Sequence, residues 1–124
     1  MRDLDDARNA LRQFVTERDW EQFHAPKNLA MALCVEAAEL MEHFQWLTEA
    51  ESAALPPDTL AEVADEIADV QLYLIGLADR LGVDILDAMS RKMEKNARKY
   101  PVASARGNAR KYDRLPGYDG TPTS

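Results

Sequence analysis

The chain has little of several things that would place it in other protein classes. It has one cysteine, Cys34, among 124 residues, so no internal disulfide can form, and a lone thiol is typical of a reducing compartment. No apolar run approaches the roughly 20 residues that span a bilayer, and no signal-peptide pattern opens the sequence. Aromatic residues make up only 7% of the chain. We therefore expect a cytoplasmic, helix-rich protein without a membrane partner.

Positive charge is also scarce, and it is unevenly distributed. The net charge is −7, which argues against a nucleic-acid partner. Residues 1–90 carry 6 basic and 19 acidic side chains, a balance of −13, whereas residues 91–124 carry 9 basic and 3 acidic, a balance of +6. This asymmetry is typical of an acidic body with a nucleic-acid-binding tail. It equally fits one site whose halves bind a cation and an anion.

Apolar residues recur at helical spacing through most of the sequence. The pattern predicts four helices, at about residues 4–18, 26–47, 59–81 and 85–100. Thr59 and Glu62 have capping-box spacing at the start of the third helix, Gly82 ends it, and Asp84 caps the fourth. The predicted fold class is all-α: an antiparallel four-helix bundle in one domain, residues 1–115, followed by a flexible tail, residues 116–124.

The third predicted helix has more apolar surface than one isolated bundle position can bury. Its predicted core stripe consists of Val63, Ile67, Val70, Leu74, Leu77 and Leu81. A second apolar face consists of Leu60, Ala64, Ala68, Leu72 and Ile75. We therefore expect contacts between subunits, and hence a homo-oligomer. Cys34 and the five methionines are expected to fill the core.

Two acidic pairs, Glu36 with Glu39 and Glu66 with Asp69, have the spacing that projects both carboxylates from one side of a helix. Most such pairs lie on solvated faces. Glu36, however, interrupts the apolar stripe of its helix, and the short link between the two helices makes them antiparallel neighbours. Four facing carboxylates repel one another unless a cation binds, and oxygen ligands favour Mg²⁺ or Mn²⁺. A metal site and solvated helix charge are both open interpretations here.

Two tryptophans, Trp20 and Trp46, border the segments that carry these acidic pairs. A tryptophan is ordinarily a core residue, but paired aromatic planes also stack on a nucleobase. Phe23, His24 and Tyr73 are candidates to lie nearby. The basic residues at and beyond the end of the fourth helix either complement its dipole or bind phosphate. They include Lys92, Lys95, Arg98, Lys99, Arg106, Arg110, Lys111 and Arg114.

The two acidic pairs, separated by 26 residues, resemble the signature of the all-α nucleoside triphosphate pyrophosphohydrolases, the MazG-like superfamily. Four further segments resemble its dCTP pyrophosphatase branch, and the likeness covers about residues 4–116. These segments are ERDWEQFH (17–24), PKNL (26–29), FQW (44–46) and RKY (110–112). The resemblance implies Mg²⁺-dependent hydrolysis of dCTP, or of 5-modified dCTP, to dCMP and pyrophosphate. It further implies water attack at the α-phosphorus, a role in cleaning the nucleotide pool, and a tetramer built as a dimer of dimers.

The resemblance also implies roles for individual residues. Glu36, Glu39, Glu66 and Asp69 would hold Mg²⁺, with Glu36 or Glu39 as general base. The positions that match substrate-binding residues are Trp20, Gln22, His24, Trp46, Tyr73, Lys92, Asn96 and Tyr100. Leu11 stands where a relative has a substrate-contacting histidine, which leaves the base preference open. The alternatives are a dUTP or broad-specificity pyrophosphatase, or a non-catalytic helical oligomerisation module.

Overall fold

The computed structural model describes residues 1–120, and every regular element in that range is helical. The α-helices are α1 (Leu4–Glu17), α2 (Pro26–Glu42), α3 (Glu49–Ser52), α4 (Pro57–Leu81), α5 (Ile85–Lys99) and α6 (Val102–Ala105), with 3-10 turns at Glu21–Phe23 and Tyr112–Arg114. This confirms the all-α prediction. None of these helices is both long and apolar enough to cross a bilayer. Residues 121–124 of the predicted tail lie outside the described residues.

The helix boundaries confirm some of the predicted signals and correct others. Gly82 ends α4 in the left-handed region, with φ of 68°, and the Asp84 side chain accepts a hydrogen bond from the Asp87 amide to cap α5. The predicted capping box at Thr59 is wrong, because α4 already begins at Pro57, whose missing N–H costs nothing in a first turn. The capping box is instead at Thr48, at the start of α3: the Thr48 side chain accepts a hydrogen bond from the Glu51 amide, and the Glu51 carboxylate accepts one from the Thr48 amide.

Two further boundaries differ from the prediction. The second helix ends at Glu42 rather than near residue 47, because the next residues form tight turns, with the Phe44 amide bonded to the Met41 carbonyl at 2.9 Å. The stretch after Pro101, for which no helix is predicted, contains α6 and a 3-10 turn, and Leu115 is buried. A single turn of helix is too short to produce an apolar period, so the sequence pattern misses it.

The chain divides into two compact units, Met1–Val83 and Asp84–Ser124. In the first unit α4 is the central helix, since it packs against both α2 and α1. The buried residues of this unit come from all three helices and are Ala7, Val15, Leu29, Val63 and Ile75. The second unit contains α5, α6 and the second 3-10 turn, where the Tyr112 ring meets Tyr100 and Tyr118 edge-on at 6.4 and 5.8 Å.

The apolar surface of α4 is distributed differently from the predicted core stripe. Val63 is buried, but Ile67 is 55% exposed, and Leu74 and Leu81 are also exposed. Ile75, which was assigned to the second face, is buried instead. The prediction fails because α4 contacts two helices along its length, so its buried line crosses from one stripe to the other. Cys34 and the methionines are likewise exposed rather than core residues.

Truncation of Val63 tests the position of this core. Val63 is 4% exposed, so Val63→Ala is expected to lower the free energy of unfolding by about 1–3 kcal/mol, because it leaves a cavity that α4 cannot close. Val83, at 46% exposed, loses the same two methyl groups in Val83→Ala and serves as the control. Urea unfolding followed by circular dichroism measures both. Equal losses in the two variants would contradict the assigned core.

Candidate metal centre and adjoining cavity

A cluster of three carboxylates forms where α2 packs against α4. Glu36 and Glu39 project from α2 and Glu66 from α4, and one oxygen of each lies within 4.8 Å of the others. We call this the carboxylate cluster. One turn further on, His43 Nδ1 lies 3.8 Å from Glu62 Oε2. Residue numbers rise along α2 as they fall along α4, so the helices are antiparallel, as the short link between them predicts.

Two oxygens of the carboxylate cluster are shielded from solvent and are not hydrogen-bonded to any described residue. Glu36 Oε2 and Glu66 Oε2 have no hydrogen-bond partner within the part of the chain that the structure describes. A buried polar atom of this kind costs free energy, and more so when it carries charge. Such atoms in native proteins usually indicate a missing proton, water or ion. The donor set is purely carboxylate oxygen, which fits a hard divalent cation such as Mg²⁺ or Mn²⁺.

Burial and neighbouring negative charges raise the pKa values of carboxyl groups in the carboxylate cluster. Burial raises the pKa of Glu36 to about 7, helped by a hydrogen bond with Glu39 and by the negative charges of Glu39, Asp69 and Glu66. The pKa of Glu66 is raised as well, again by burial first and then by the charge of Glu39. A proton shared between Glu36 and Glu39 is one relief of this repulsion, and a bound cation is the other.

Asp69, the fourth predicted ligand, is on α4 but is not a member of the three-oxygen group. It is exposed, and it acts on the cluster through its charge, which contributes to the raised pKa of both Glu36 and Glu66. The structure therefore brings three of the four predicted ligands together and places the fourth within electrostatic range.

Further acidic side chains surround the carboxylate cluster on one side. A cleft of ≈ 400 Å³, the acidic cleft, is lined by Glu39, Glu42, His43, Glu62, Asp65 and Glu66. Glu42, His43 and Asp65 are not among the residues predicted for the site. The sequence does contain a signal for Glu42, because it follows Glu39 by three residues and therefore lies on the same face of α2. A cleft lined by one sign of charge concentrates cations near the cluster.

Trp20 is presented by the way that α1 ends. Asp19 adopts a left-handed conformation with φ of 53°. The amides of Asp19 and Trp20 bond back to the Thr16 and Val15 carbonyls at 3.1 Å each, which is the Schellman arrangement. The Trp20 ring then meets Phe14 edge-on at 5.8 Å and stays partly exposed. Its accessible face is therefore available for stacking.

A second cavity, of ≈ 240 Å³, lies between α1, the start of α2 and the end of α4. Its lining residues are Leu11, Arg12, Val15, Thr16, Glu21, His24, Leu29, Gly76, Asp79 and Arg80. A Cβ on Gly76 would lie 3.4 Å from Leu11 Cδ2, so a glycine here keeps α4 close to α1. His24 and Leu11, both singled out from the sequence, thus share one cavity.

The second cavity lies on a definite side of the carboxylate cluster. Leu29 precedes Glu36 by seven residues on α2, and Gly76 follows Asp69 by seven on α4. At 1.5 Å per residue each step is about 10 Å. Because the helices are antiparallel, both steps lead in the same direction along the helix pair. The cavity therefore lies about two helical turns from the cluster.

The remaining predicted substrate residues are less enclosed or belong to the second unit. Gln22 donates its side-chain amide to the Asp19 carbonyl at 3.0 Å, Trp46 is 87% exposed after the end of α2, and Tyr73 is half-buried on α4. In the second unit, Lys92 and Asn96 share one face of α5, and Tyr100 caps its end. Neither cavity described above is lined by any of these six residues.

Neutralising Glu36 is expected to stabilise the cation-free protein at alkaline pH. Its folded-state pKa is raised above the usual value, so the folded protein binds the proton more tightly and loses stability as pH rises through about 4 to 7. Glu36→Gln removes this loss. In EDTA, the Tm of the variant should exceed that of the wild type at pH 8 and match it at pH 4.

Differential scanning fluorimetry measures this effect across the pH range. Glu94→Gln removes the same charge from an exposed position on α5 and controls for a general charge effect. A Tm difference of equal size at both pH values would contradict the assigned repulsion in the cluster.

The chain is similar to proteins that have already been characterised. Residues 31–115 match the MazG-like family. Mouse dCTP pyrophosphatase 1 (Mus musculus) is 46% identical over 115 residues, which cover 91% of this chain and 68% of the relative. Human dCTP pyrophosphatase 1 (Homo sapiens) is 45% identical over the same proportions of both chains.

A solved structure is similar as well. The crystal structure of a pyrophosphatase from Archaeoglobus fulgidus superposes with a TM-score of 0.72 at 45% identity, and the match covers 75% of this chain and 87% of that one. The family match includes most of α2, all of α4 and the carboxylate cluster that they form. The protein therefore belongs to the MazG-like family.

Proposed function

We propose that the protein is a nucleoside triphosphate pyrophosphohydrolase that hydrolyses dCTP, and 5-modified dCTP, to dCMP and pyrophosphate in the cytoplasm. Such an activity would clear unwanted nucleotides from the precursor pool. The observation that carries the proposal is the carboxylate cluster, with two shielded oxygens that lack partners among the described residues. The similarity to dCTP pyrophosphatase 1 over 91% of the chain supports the choice of substrate.

Glu36, Glu39, Glu66 and Asp69 are the proposed ligands of Mg²⁺, for which Mn²⁺ can substitute. When bound, the cation would supply charge neutralisation at the triphosphate and lower the pKa of water. Asp69 is included because it follows Glu66 by three residues on α4 and its charge already acts on Glu36 and Glu66. These carboxylates would hold a cation between the two helices, where it would meet the phosphates of the substrate.

Glu36 or Glu39 is the proposed general base. An attacking water gives its proton to a carboxylate oxygen while its own oxygen bonds to the α-phosphorus. The bond from the α-phosphorus to the bridging oxygen of the β-phosphate then breaks, and pyrophosphate leaves with that oxygen. The mechanism needs no covalent nucleophile from the protein.

The nucleoside end of the substrate is proposed to extend from the carboxylate cluster towards the second cavity. His24 lines that cavity, and Trp20 keeps accessible aromatic surface on which a base can stack. Trp46 is also exposed, but it follows the opposite end of α2, so its proposed contact with substrate lies away from this cavity. Gln22 and Tyr73 complete the proposed nucleoside contacts. Leu11 contributes an apolar wall to the cavity, which favours apolar contact with the base or a 5-substituent at this point.

The phosphates and sugar are proposed to contact α5. Lys92 supplies a cation for a phosphate, and Asn96 and Tyr100 supply hydrogen-bonding groups one and two turns further along the helix. The excess of basic residues in the C-terminal part of the chain supports this assignment, because a triphosphate needs positive charge that the acidic N-terminal part lacks.

We also propose a four-helix bundle in each subunit and a tetramer built as a dimer of dimers. Leu60, Ile67 and Leu74 recur every seven residues on α4 and are all exposed, as are Met31 and Val35 on α2. Apolar residues repeated along helix faces in this way are typical of a surface that a partner covers. The domain is proposed to cover residues 1–115, since the family match ends there, and residues 116–124 form its tail.

Loss of one proposed ligand is expected to abolish most activity. Asp69→Ala should lower kcat/KM for dCTP by about 10²–10³-fold or more, because charge stabilisation at the reacting phosphates is lost. Asp58→Ala removes the same charge from the exposed first turn of α4 and should retain activity. Chromatographic separation of dCMP, dCDP and dCTP measures both variants. Near-normal activity of Asp69→Ala would contradict its assignment as a ligand.

A panel of all common deoxynucleoside and ribonucleoside triphosphates tests the substrate and the bond cleaved. We expect dCTP to be hydrolysed fastest, with pyrophosphate as the first product. Faster turnover of dUTP, or equal turnover of many substrates, would favour the alternative pyrophosphatases. Orthophosphate as the first product would contradict attack at the α-phosphorus. No turnover, with a Tm unchanged between EDTA and Mg²⁺ with nucleotide, would favour the non-catalytic module.

A further inference from the structure

The segment that joins α1 to α2, residues 19–25, carries three of the proposed substrate residues but has a mainly local hydrogen-bond network. The Gln22 side chain bonds to the Asp19 carbonyl, and Thr16 Oγ1 bonds to Glu21 Oε1 at 2.6 Å. Each of these bonds joins residues five positions apart or less. Local bonds define the shape of a segment, but they do not fix its position against the helices that it serves.

Arg80 connects this segment to α4. Its Nε donates to the His24 carbonyl at 2.9 Å, and its Nη2 donates to the Glu21 carbonyl at 3.0 Å. The two carbonyls belong to the first residue of the 3-10 turn and to the residue that follows its end. A guanidinium is planar and its donors form a rigid fork, so two bonds from one group fix orientation as well as distance.

The last turn of α4, which carries Arg80, is itself firmly placed. The Asp79 carboxylate accepts a bidentate pair of hydrogen bonds from Arg12 of α1, from Nε to Oδ2 at 2.7 Å and from Nη2 to Oδ1. Arg12 is the first cause of the lowered pKa of Asp79. The helix then ends in a Schellman arrangement, with the Val83 amide bonded to the Ala78 carbonyl at 2.8 Å. Arg80 therefore extends from a backbone that is tied to α1 and capped at its end.

The same helix carries ligands of the proposed metal site. Asp69 and Arg80 are eleven residues apart on α4, a separation of about 16 Å along a continuous helix. A substrate that contacts the segment at one end and the carboxylates at the other is thus positioned at both ends by one rigid helix, α4. We infer that Arg80 is a positioning residue, which sets the Trp20–His24 segment at the correct distance from the carboxylate cluster. The inference rests on the proposed function.

This role predicts a specific kinetic signature. Without the two bonds from Arg80, the segment keeps its local shape but is no longer hydrogen-bonded to α4. A fraction of molecules then hold Trp20 and His24 away from the nucleoside. The affinity for substrate then falls. The carboxylate cluster is unaffected by the change, so turnover of substrate that does bind correctly is retained.

Arg80→Ala is expected to raise the KM for dCTP about tenfold or more, the usual effect of losing hydrogen bonds from a charged donor, with a smaller change in kcat. Arg80→Lys should lie between the variant and the wild type, because an ammonium cannot reproduce the planar fork. Low millimolar guanidinium should lower the KM of Arg80→Ala. Arg2→Ala removes an exposed arginine paired with Asp6 and serves as the control.

Hydrogen exchange measured by mass spectrometry on the same variants tests the contact without substrate. Arg80→Ala should raise exchange in residues 19–25 and leave the amides of α1, α2 and the middle of α4 protected. Exchange that rises across the whole first unit would overturn the positioning role in favour of general destabilisation. Wild-type KM together with wild-type exchange in residues 19–25 would overturn it as well.

The two measurements separate failure of this inference from failure of the proposed function. If the wild type does not hydrolyse dCTP, the proposed function fails, and with it the role of Arg80 in substrate positioning, whatever the exchange shows. If the wild type is active and Arg80→Ala leaves both KM and exchange unchanged, only the inference fails.

Discussion

The repulsion between carboxylates that α2 and α4 hold together is the constraint on which the site depends. Three side-chain oxygens lie within 4.8 Å of one another, and two oxygens of the cluster have neither solvent nor a partner among the described residues. At such separations like charges in a partly dry site repel by several kcal/mol. The apolar contacts of Leu29, Val63 and Ile75 offset this cost. The carboxylate cluster thus lowers the stability of the cation-free fold, which is typical of a site that is kept for binding.

The acidic cleft adds a repulsion between the protein and the negatively charged substrate to the repulsion among the proposed ligands. Glu42, Glu62 and Asp65 add negative charge around the carboxylate cluster. This field attracts cations and repels a bare triphosphate. Substrate binding is therefore tied to the cation by the electrostatics of the whole cleft, and not only by the geometry of the proposed ligands. The net charge of −7 conceals this, because the basic residues that could meet the phosphates lie in the C-terminal part of the sequence.

The sequence predicts best those features that repeat or that obey short-range rules. Helical periodicity locates the four long helices, and Gly82 and Asp84 mark their boundary correctly. The acidic pairs and the short link predict the facing of α2 and α4. Thr48 and Thr59 both precede a glutamate by three residues, however, and only the position of Pro57 decides which of them caps a helix.

Two other features cannot be read from one sequence, for different reasons. The stripe of α4 that faces the core and the stripe that stays exposed are both apolar, so Ile67 and Ile75 could not be assigned to their surfaces. Arg80 carries no signal at all, because its partners are backbone carbonyls of Glu21 and His24, which any residues would supply. Its contribution follows instead from where α4 ends. A helix long enough to carry the carboxylates in its middle and Arg80 in its last turn can position both ends of one extended ligand, which two separate loops could not do with the same precision.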